Sequence, residues 1–556
     1  MTHPDSYEYL TNTVNGTQAL IWRAAAAVLC GALLTPVGAS ASSPLTPDDQ
    51  AAALLLEDRI ADNLWYGQVF EATYRTPDRT PGDLASVHNF GDSALWTGTY
   101  LAAEAFRYAT ARTKIATGED VAFWGEQQAE AKARIDQIVA KYHLLINISK
   151  NWDYELEPSL DPPSFGGGVF RGEPGYLMRA CIPTDAPSWA TWGEPRGPRV
   201  FGPLDWDDGN QYWCEDATSR DAYAGTTFGL LTAFDLVGPD DDELRAQIRD
   251  DVITMTTFAL KYLWNTPRPH GNISLPPEDL EEYSPIDVWG HDFENFISPL
   301  FVYVPMARLN MTQIARHVAD EAGTPEQAAF WEAVWAEELA SQGSLLATSM
   351  EIDSFQPNDG YYKFNLHHLT GYTTIRLEPD PAVRELLRQA FSVMDNTTRD
   401  DVNAHFETIT YALTGEAGRR DLAIEHLREW LDYRARIDLG VPTNNSPGCD
   451  VEFECVARDS LELVVRAADG SEAAAVTLFP GTDARLRARR PLPVPLRPPT
   501  DFLWQRPPTQ LEGFEGATRQ APGIDYLLPY WMLRYYTDVA PPGLSPFPPY
   551  PAPAHA

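Results

Sequence analysis

Positive charge is what this chain has least of. Its 556 residues carry 42 Lys and Arg against 79 Asp and Glu, a formal net charge of −37. Nucleic acid and anionic membrane surfaces both need a basic face, so neither is an expected partner. Neutral sugars and cations stay compatible with that charge, and a few local arginines can still clamp an anionic substrate such as a uronic acid. Several catalytic signatures are missing as well. The chain has no Gly-x-Ser-x-Gly elbow, P-loop, Rossmann fingerprint or HExxH, which argues against serine hydrolysis, nucleotide binding and zinc proteolysis.

Long apolar runs are also scarce. The one at 24–37 (AAAAVLCGALLTPV) follows Arg23 and precedes Ala39-Ser40-Ala41. It is short for a bilayer span and reads as a secretory signal, residues 1–41, cut after Ala41. The alternative is an anchored N-terminal helix. The n-region is long and holds acidic residues, and Leu29 before Cys30 fits a lipoprotein signal poorly. The expectation is a secreted or periplasmic protein with no membrane span in its mature form. Cysteine is sparse too: beyond Cys30 there are Cys181, Cys214, Cys449 and Cys455. An even number in an oxidising compartment favours disulfides, with three pairings open. No CxxC or Cys/His spacing suggests zinc, and no metal site is expected.

What is present is core material. Hydrophobic residues make up 44% of the chain, with 16 Trp and 24 Tyr, enough for a large globular interior. Six stretches resemble one another: GDSALWTGTYLAAEAFRY (91–108), SRDAYAGTTFGLLTAFDL (219–236), HDFENFISPLFVYVPMARL (291–309), YYKFNLHHLTGYTTIRLE (361–378), RDDVNAHFETITYALTG (399–415) and PGIDYLLPYWMLRYY (522–536). Each opens on charged or amide residues and then runs apolar almost all the way round, so each predicts a buried helix. Amphipathic helices with acidic or proline first turns alternate with them, at 47–75, 119–142, 241–263, 326–342, 381–394 and 419–437. About twelve helices in six hairpins result. Residues 150–218, rich in Pro, Gly, Trp and Asp, read as a long irregular insertion into a helical body spanning 42–440. A small β-containing excursion is expected over 441–515, the last helix over 516–538 and a Pro-rich tail over 539–556.

This alternation, with the W-T-G-x-Y-L-A pattern at Trp96–Ala102 and the Trp- and Tyr-rich loops, resembles the six-hairpin glycosidase-like superfamily. The resemblance implies a mainly α fold, an (α/α)6 toroid, with a site at the mouth formed by the inner helices' N-terminal ends. It also implies a carbohydrate-active enzyme: a glycoside hydrolase first, with a polysaccharide lyase or sugar epimerase acting on uronates as the runner-up. No family-specific motif carries a catalytic residue across, and a non-catalytic glycan-binding toroid is the reading from another class.

Glycoside hydrolysis with inversion needs an acid and a carboxylate roughly 6.5–9.5 Å apart. The acidic candidates at predicted mouths are Asp92, Asp221, Asp287 and Asp292, with Glu294, Asp400, Asp401 and Asp525 nearby. For each the plain alternative is helix capping. The helix dipole lowers a carboxyl pKa there, which suits a base; an acid needs desolvation by neighbouring aromatics. Trp96, Tyr223, Trp289, Tyr361, Tyr362 and Trp504 are candidate stacking platforms for an oligo- or polysaccharide, against a simple core role. Arg220 is a candidate binder of an anionic sugar, although it can equally pair with Asp216, and FLWQRPP (502–508) returns Arg506 with Trp504 over the pocket as a substrate-binding candidate. His88, His291, His367 and His368 sit near the mouths as hydroxyl binders or structural histidines. DWDDGNQYWCED (205–216) has the acids of a calcium loop with Gly209 and Asn210 one place late, and a DxDD pattern similar to that of class II terpene cyclases. An acidic turn is its default reading, so structural calcium is the only cofactor to consider.

Overall fold

In a computed structural model the chain is mainly helical, with twelve α-helices among the described residues. The structure describes residues 45–79, 81–151, 153–155, 169–171, 173–190, 200–215, 218–261, 304–354, 361–438, 454–466, 472–482, 485–498, 500, 502–511 and 518–540. Two compact units divide the chain. Ser43–Val456 with Leu486–Ala556 carries every described helix, and Met1–Ser42 with Ala457–Arg485 forms the other. In the described part of the latter, strands Leu461–Arg466 and Glu472–Phe479 pair antiparallel.

The helices are α1 (Pro47–Ile60), α2 (Ser93–Ala116), α3 (Val121–Asn147), α4 (Arg220–Leu236), α5 (Asp242–Lys261), α6 (Val304–Ala322), α7 (Pro325–Ser354), α8 (Tyr362–Leu377), α9 (Pro381–Thr398), α10 (Ala404–Thr414), α11 (Ala417–Asp438) and α12 (Ile524–Asp538). Their starts follow local chemistry. Thr46 and Asp49 form a capping box on α1, Ser219 accepts from Ala222 N on α4, and Asn403 accepts from Phe406 N on α10. On α9, Asp380 caps and Pro381 occupies the first turn, and the buried residues Leu387, Ala390, Phe391 and Met394 recur at three- and four-residue spacing. That is a helix covering a core with one face. In contrast, every residue of α2 from Ser93 to Ala111 is buried, as is every residue of α8 from Lys363 to Leu377.

The fully buried helices pack side by side in one direction. On α4, a Cβ at Gly225 would lie 2.7 Å from Leu95 Cα and one at Gly229 would lie 2.8 Å from Gly98 Cα, both on α2. The register ascends together, so α2 and α4 are parallel and nearly touch backbone to backbone. Next, Asn310 Nδ2 donates to Thr227 Oγ1 at 3.1 Å and His317 Nε2 meets Asp235 Oδ1 at 2.6 Å, which aligns α6 with α4. Asn310 also accepts from Thr373, and Arg316 reaches Glu378 at 3.3 Å, which aligns α8 with α6. The last helix α12 runs along α2, with Arg107 over the Trp531 ring and Lys114 paired to Asp538 at 3.1 Å. The amphipathic partner α3 runs the other way: Tyr142 Oη donates to Ala94 O at 2.6 Å, while Arg107 meets Gln127 at 3.1 Å.

Three expectations are corrected. The helix predicted over 47–75 ends at Ile60; short strands Leu64–Trp65 and Gln68–Val69 follow, turned by Tyr66 and Gly67 at positive φ, and Glu71–Tyr74 pairs with Leu84–His88. The aromatic and β-branched run there favours a pleated surface over a helix. The insertion at 150–218 is not wholly irregular, because Ala180–Pro183, Gln211–Glu215 and Val200–Asp205 form an antiparallel three-stranded sheet pinned by the Cys181–Cys214 disulfide. Third, α12 starts at Ile524, and the residues before it include a strand, Arg519–Gln520, on the edge of Glu71–Tyr74. Cys455 is also disulfide-bonded. Among the described residues no helix is long and apolar enough to cross a membrane.

Candidate functional site

The start of α4 gathers charge. Asp221 is its second residue, and Ser219 already caps the helix, so the carboxylate of Asp221 is not needed as the cap. Burial raises its carboxyl above the ordinary range, and the charges of Arg220, Arg179 and Arg506 pull it back. Arg179 arrives there because the disulfide-pinned sheet places it at the entrance of strand Ala180–Pro183, its amide donating to Glu215 O at 3.0 Å. The same guanidinium lies against the neighbouring helix start: a Cβ on Gly91 would be 2.9 Å from Arg179 Nη1 and 3.8 Å from Glu215 Oε1. Asp92 follows Gly91, is half-buried, and makes no side-chain capping bond to α2. With Leu95 against Gly225, the α2–α4 register sets Gly91 and Asp92 level with Asp221. Arg506 completes this group while its Nε donates to Thr500 Oγ1 at 3.1 Å.

A second group, made of rings, occupies the first two turns of α2, α8 and α10. Trp96 is buried with Phe502 stacked on it at 4.6 Å. Phe502 also meets the His405 ring edge-on at 5.8 Å, and His368 stacks on Phe406 at 3.8 Å. Burial pushes the His368 imidazole down to about 4 and that of His405 down to about 3, so both are neutral at pH 7. His368 Nδ1 bonds the Phe364 carbonyl at 2.7 Å.

The other sequence candidates are placed as follows. Tyr361 is buried between Phe364 and Phe406 and donates to Asp401 Oδ2 at 2.8 Å. Burial pushes the Asp401 carboxyl up to about 7, opposed by that bond and by Arg497. Tyr362 is half-buried at the head of α8. Tyr223 is buried, its phenol raised by burial and tied to the Leu177 backbone and to Thr218. Trp504 is fully buried, donating from Nε1 to the Asp525 carbonyl and accepting at its own carbonyl from Asn403 at 3.0 Å. It therefore presents no open ring face. Asp525 accepts from Trp430 Nε1 at 2.9 Å. His88 lies at the strands, 2.7 Å from Thr73 and 3.5 Å from Glu71. Asp287, Asp292, Glu294, His291, Trp289 and Asp216 lie outside the described residues.

Asp205, Asp207 and Asp208 are all used at the hairpin between strands Val200–Asp205 and Gln211–Glu215. Gln211 donates to Asp205, Lys150 to Asp207, and Tyr212 and the Asn210 amide to Asp208. Among the described residues no group of three His, Cys, Asp or Glu side chains is arranged to hold a metal.

Of the residues singled out from the sequence as lining one mouth, the structure gathers Asp221, Arg220 and Arg506 in one group and Trp96 and His368 in another. The sequence reading treated them as one site. It passed over Arg179, Phe502, His405 and Asn365. Arg179 depends on a disulfide whose pairing was open. In FLWQRPP the larger Trp504 drew attention, but the short 3-10 turn Leu503–Gln505 puts Phe502 on Trp96 instead. His405 carried a readable signal, as the second residue of a fully buried helix. Comparison with known proteins finds no matching family, no matching curated protein and no matching solved structure.

Proposed function

We propose that this chain is an exported (α/α)6-toroid glycoside hydrolase that works with paired carboxylates at the heads of α2 and α4. The toroid is supported by the order of contact. Each of α2, α4, α6, α8, α10 and α12 touches the next, and α12 touches α2, while α3, α5, α7, α9 and α11 each contact at least one flanking member of that series. Export is supported by the signal-like residues 1–41 together with the disulfide.

The observation that carries the catalytic reading is the level pairing of Asp92 and Asp221 on adjacent parallel helices. Helix axes ordinarily lie about 8–10 Å apart, and glycine contacts bring these two closer, which suits the roughly 6.5–9.5 Å separation used for inversion. Asp221, desolvated and raised, serves as the acid: its proton passes to the glycosidic oxygen as the C–O bond breaks. Asp92, half-buried just before the positive end of α2, serves as the base. It takes a proton from a water that attacks the anomeric carbon on the opposite face.

The test is Asp221→Asn and Asp92→Asn assayed on a panel of oligosaccharides by release of reducing ends. Each variant should lose about a hundredfold or more in kcat with its thermal midpoint kept. Full activity in both variants removes the pair from the mechanism. A second reading, elimination or epimerisation on a uronate, draws support from the three arginines around Asp221. It predicts an unsaturated or epimerised product from uronate-containing glycans in place of simple hydrolysis.

A further inference from the structure

The ring cluster under Phe502 contains polar atoms that nothing among the described residues satisfies. Trp96 Nε1, Ser93 Oγ, Asn365 Oδ1, His368 Nε2 and both nitrogens of His405 are buried without a hydrogen-bond partner. Every one of these side chains is at least nine-tenths buried, and leaving such groups unpaired is costly. Unpartnered buried atoms occur elsewhere too, Thr110 Oγ1 and Thr537 Oγ1 among them, but these five residues fall together in the first two turns of three helices. Ser93 and Trp96 are one turn apart on α2, Asn365 and His368 one turn apart on α8, and His405 is the second residue of α10. Phe502 touches the Trp96 and His405 rings, and Gln505, from the same short segment, holds Asn365 at 2.7 Å.

The existing bonds fix what each free atom offers. His368 Nδ1 faces a carbonyl and so carries the proton, which leaves Nε2 as an acceptor. Asn365 spends its amide nitrogen on Gln505, which leaves Oδ1 as an acceptor. Trp96 Nε1 is a donor, Ser93 is either, and a neutral His405 offers one of each. A carboxylate ligand would meet two lone-pair acceptors, and a cation would meet the indole N–H with no anionic group among the five. Hydroxyl groups both donate and accept, so a set of them matches the whole inventory. The Trp96 face beneath Phe502 supplies a flat apolar surface for a ring.

We propose that the heads of α2, α8 and α10 form a recognition subsite for an uncharged, polyhydroxylated ring, which takes the place of Phe502 on Trp96. The choice of a sugar ring rests on the carbohydrate reading above; the donor and acceptor pattern does not.

The experiment titrates the full chain with glucose, galactose, mannose and xylose, and with glucuronate as the anionic arm, by calorimetry and by ligand-observed NMR. At least one neutral sugar should bind, and glucuronate about tenfold or more weaker. His405→Phe keeps ring volume and its packing on Phe502 and Phe406 while deleting both nitrogens. It should raise the thermal midpoint and weaken the neutral sugar about tenfold or more. Phe502→Ala, which removes the ring to be displaced, should tighten binding. Binding of no neutral sugar, equal binding of glucuronate, or unchanged affinity in His405→Phe would each overturn the subsite. The outcomes separate from those of the hydrolase reading. A chain that binds a neutral sugar but cleaves no glycan loses the hydrolase and keeps the subsite; one that cleaves glycans with His405→Phe unaffected does the reverse.

Discussion

The contact between α2 and α4 fixes the distance between the two candidate carboxylates, and it can be tested with one methyl group. A Cβ on Gly98 would lie 2.8 Å from the Thr226 amide nitrogen and nearer still to the Gly225 carbonyl. Ordinary contact for such atoms is about 3.5 Å, so Gly98→Ala must part the helices by roughly 1 Å. Overpacking of this kind costs about 1–3 kcal/mol. Alanine also helps a helix by about 1 kcal/mol over glycine, which would mask part of the loss. Gly125→Ala is the matched control. Gly125 is in the interior of α3, half-buried, and a Cβ there meets nothing within 4 Å. The propensity gain is shared by both variants, so their difference in stability is the contact term, about 1–3 kcal/mol. Thermal midpoints at one fixed scan rate, with denaturant midpoints beside them, read that difference. Gly125→Ala should melt at or above the parent and Gly98→Ala clearly below it. Moving α2 outward also moves Asp92 away from Asp221, so on the proposed hydrolase reading Gly98→Ala should lose rate at temperatures where it is fully folded. Equal stability of the two variants would show that α2 and α4 do not approach as closely as their glycines imply.

Two more predictions concern stability. Asp401 holds its proton up to about pH 7 in the folded chain, against an ordinary value of 3.8. The folded state therefore binds more protons than the unfolded state across that window, and stability falls as pH rises from about 4 to about 7, levelling above it. Asp401→Asn keeps an acceptor for Tyr361 and has nothing to titrate, so its melting temperature should fall less over that range; an unchanged pH profile would refute the assignment. Replacing Cys181 and Cys214 by Ser opens a link of sequence separation 33, worth about 3–4 kcal/mol in chain entropy. Because that link places Arg179 beside Asp221, the double variant should lose activity before it loses global helicity by circular dichroism. Loss of both together at one temperature would mean the sheet does not position the site separately.

How far the sequence could be read depended on the range of the interactions that decide each feature. The six apolar stretches are local patterns, and five of them lie on buried helices. For the third, 291–309, only its end from Val304 is described, where α6 continues to Ala322. The first amphipathic segment was read too long because helix periodicity at Ala51–Ile60 hides a strand signal in WYGQVFEATY, where Tyr66 and Gly67 turn the chain. Asp92 and Asp221 were visible as acids at helix starts, and capping was a fair alternative. That Ser219 takes the cap on α4 is settled only by which oxygen reaches Ala222 N. Arg179 was not visible at all, because its position beside Asp221 is made by strand register and by a disulfide 33 residues long in sequence. Phe502 lies some four hundred residues from Trp96 in the chain, and no local rule pairs them.

The two ends of the parallel helices are built differently, and this argues for where a ligand goes. At the C-terminal ends, charge is neutralised within the protein. Asp235 on α4 meets His317 on α6 at 2.6 Å and Arg376 on α8 at 2.9 Å, while the Tyr372 and Tyr536 hydroxyls meet at 2.6 Å. Burial raises the Asp235 carboxyl, but His317 and Arg376 outweigh it and hold the group below its usual range, so the end closes as a paired network. At the N-terminal ends the imidazoles of His368 and His405 and the Trp96 indole are equally buried, yet keep unpartnered nitrogens. A chain that needed only to close both ends would gain stability by placing Phe or Leu at those positions, since apolar rings would fill the space without an unpaired polar atom. Pairing the buried charges at one end while retaining neutral polar rings without partners at the other leaves unmet hydrogen-bonding capacity where something else has still to bind.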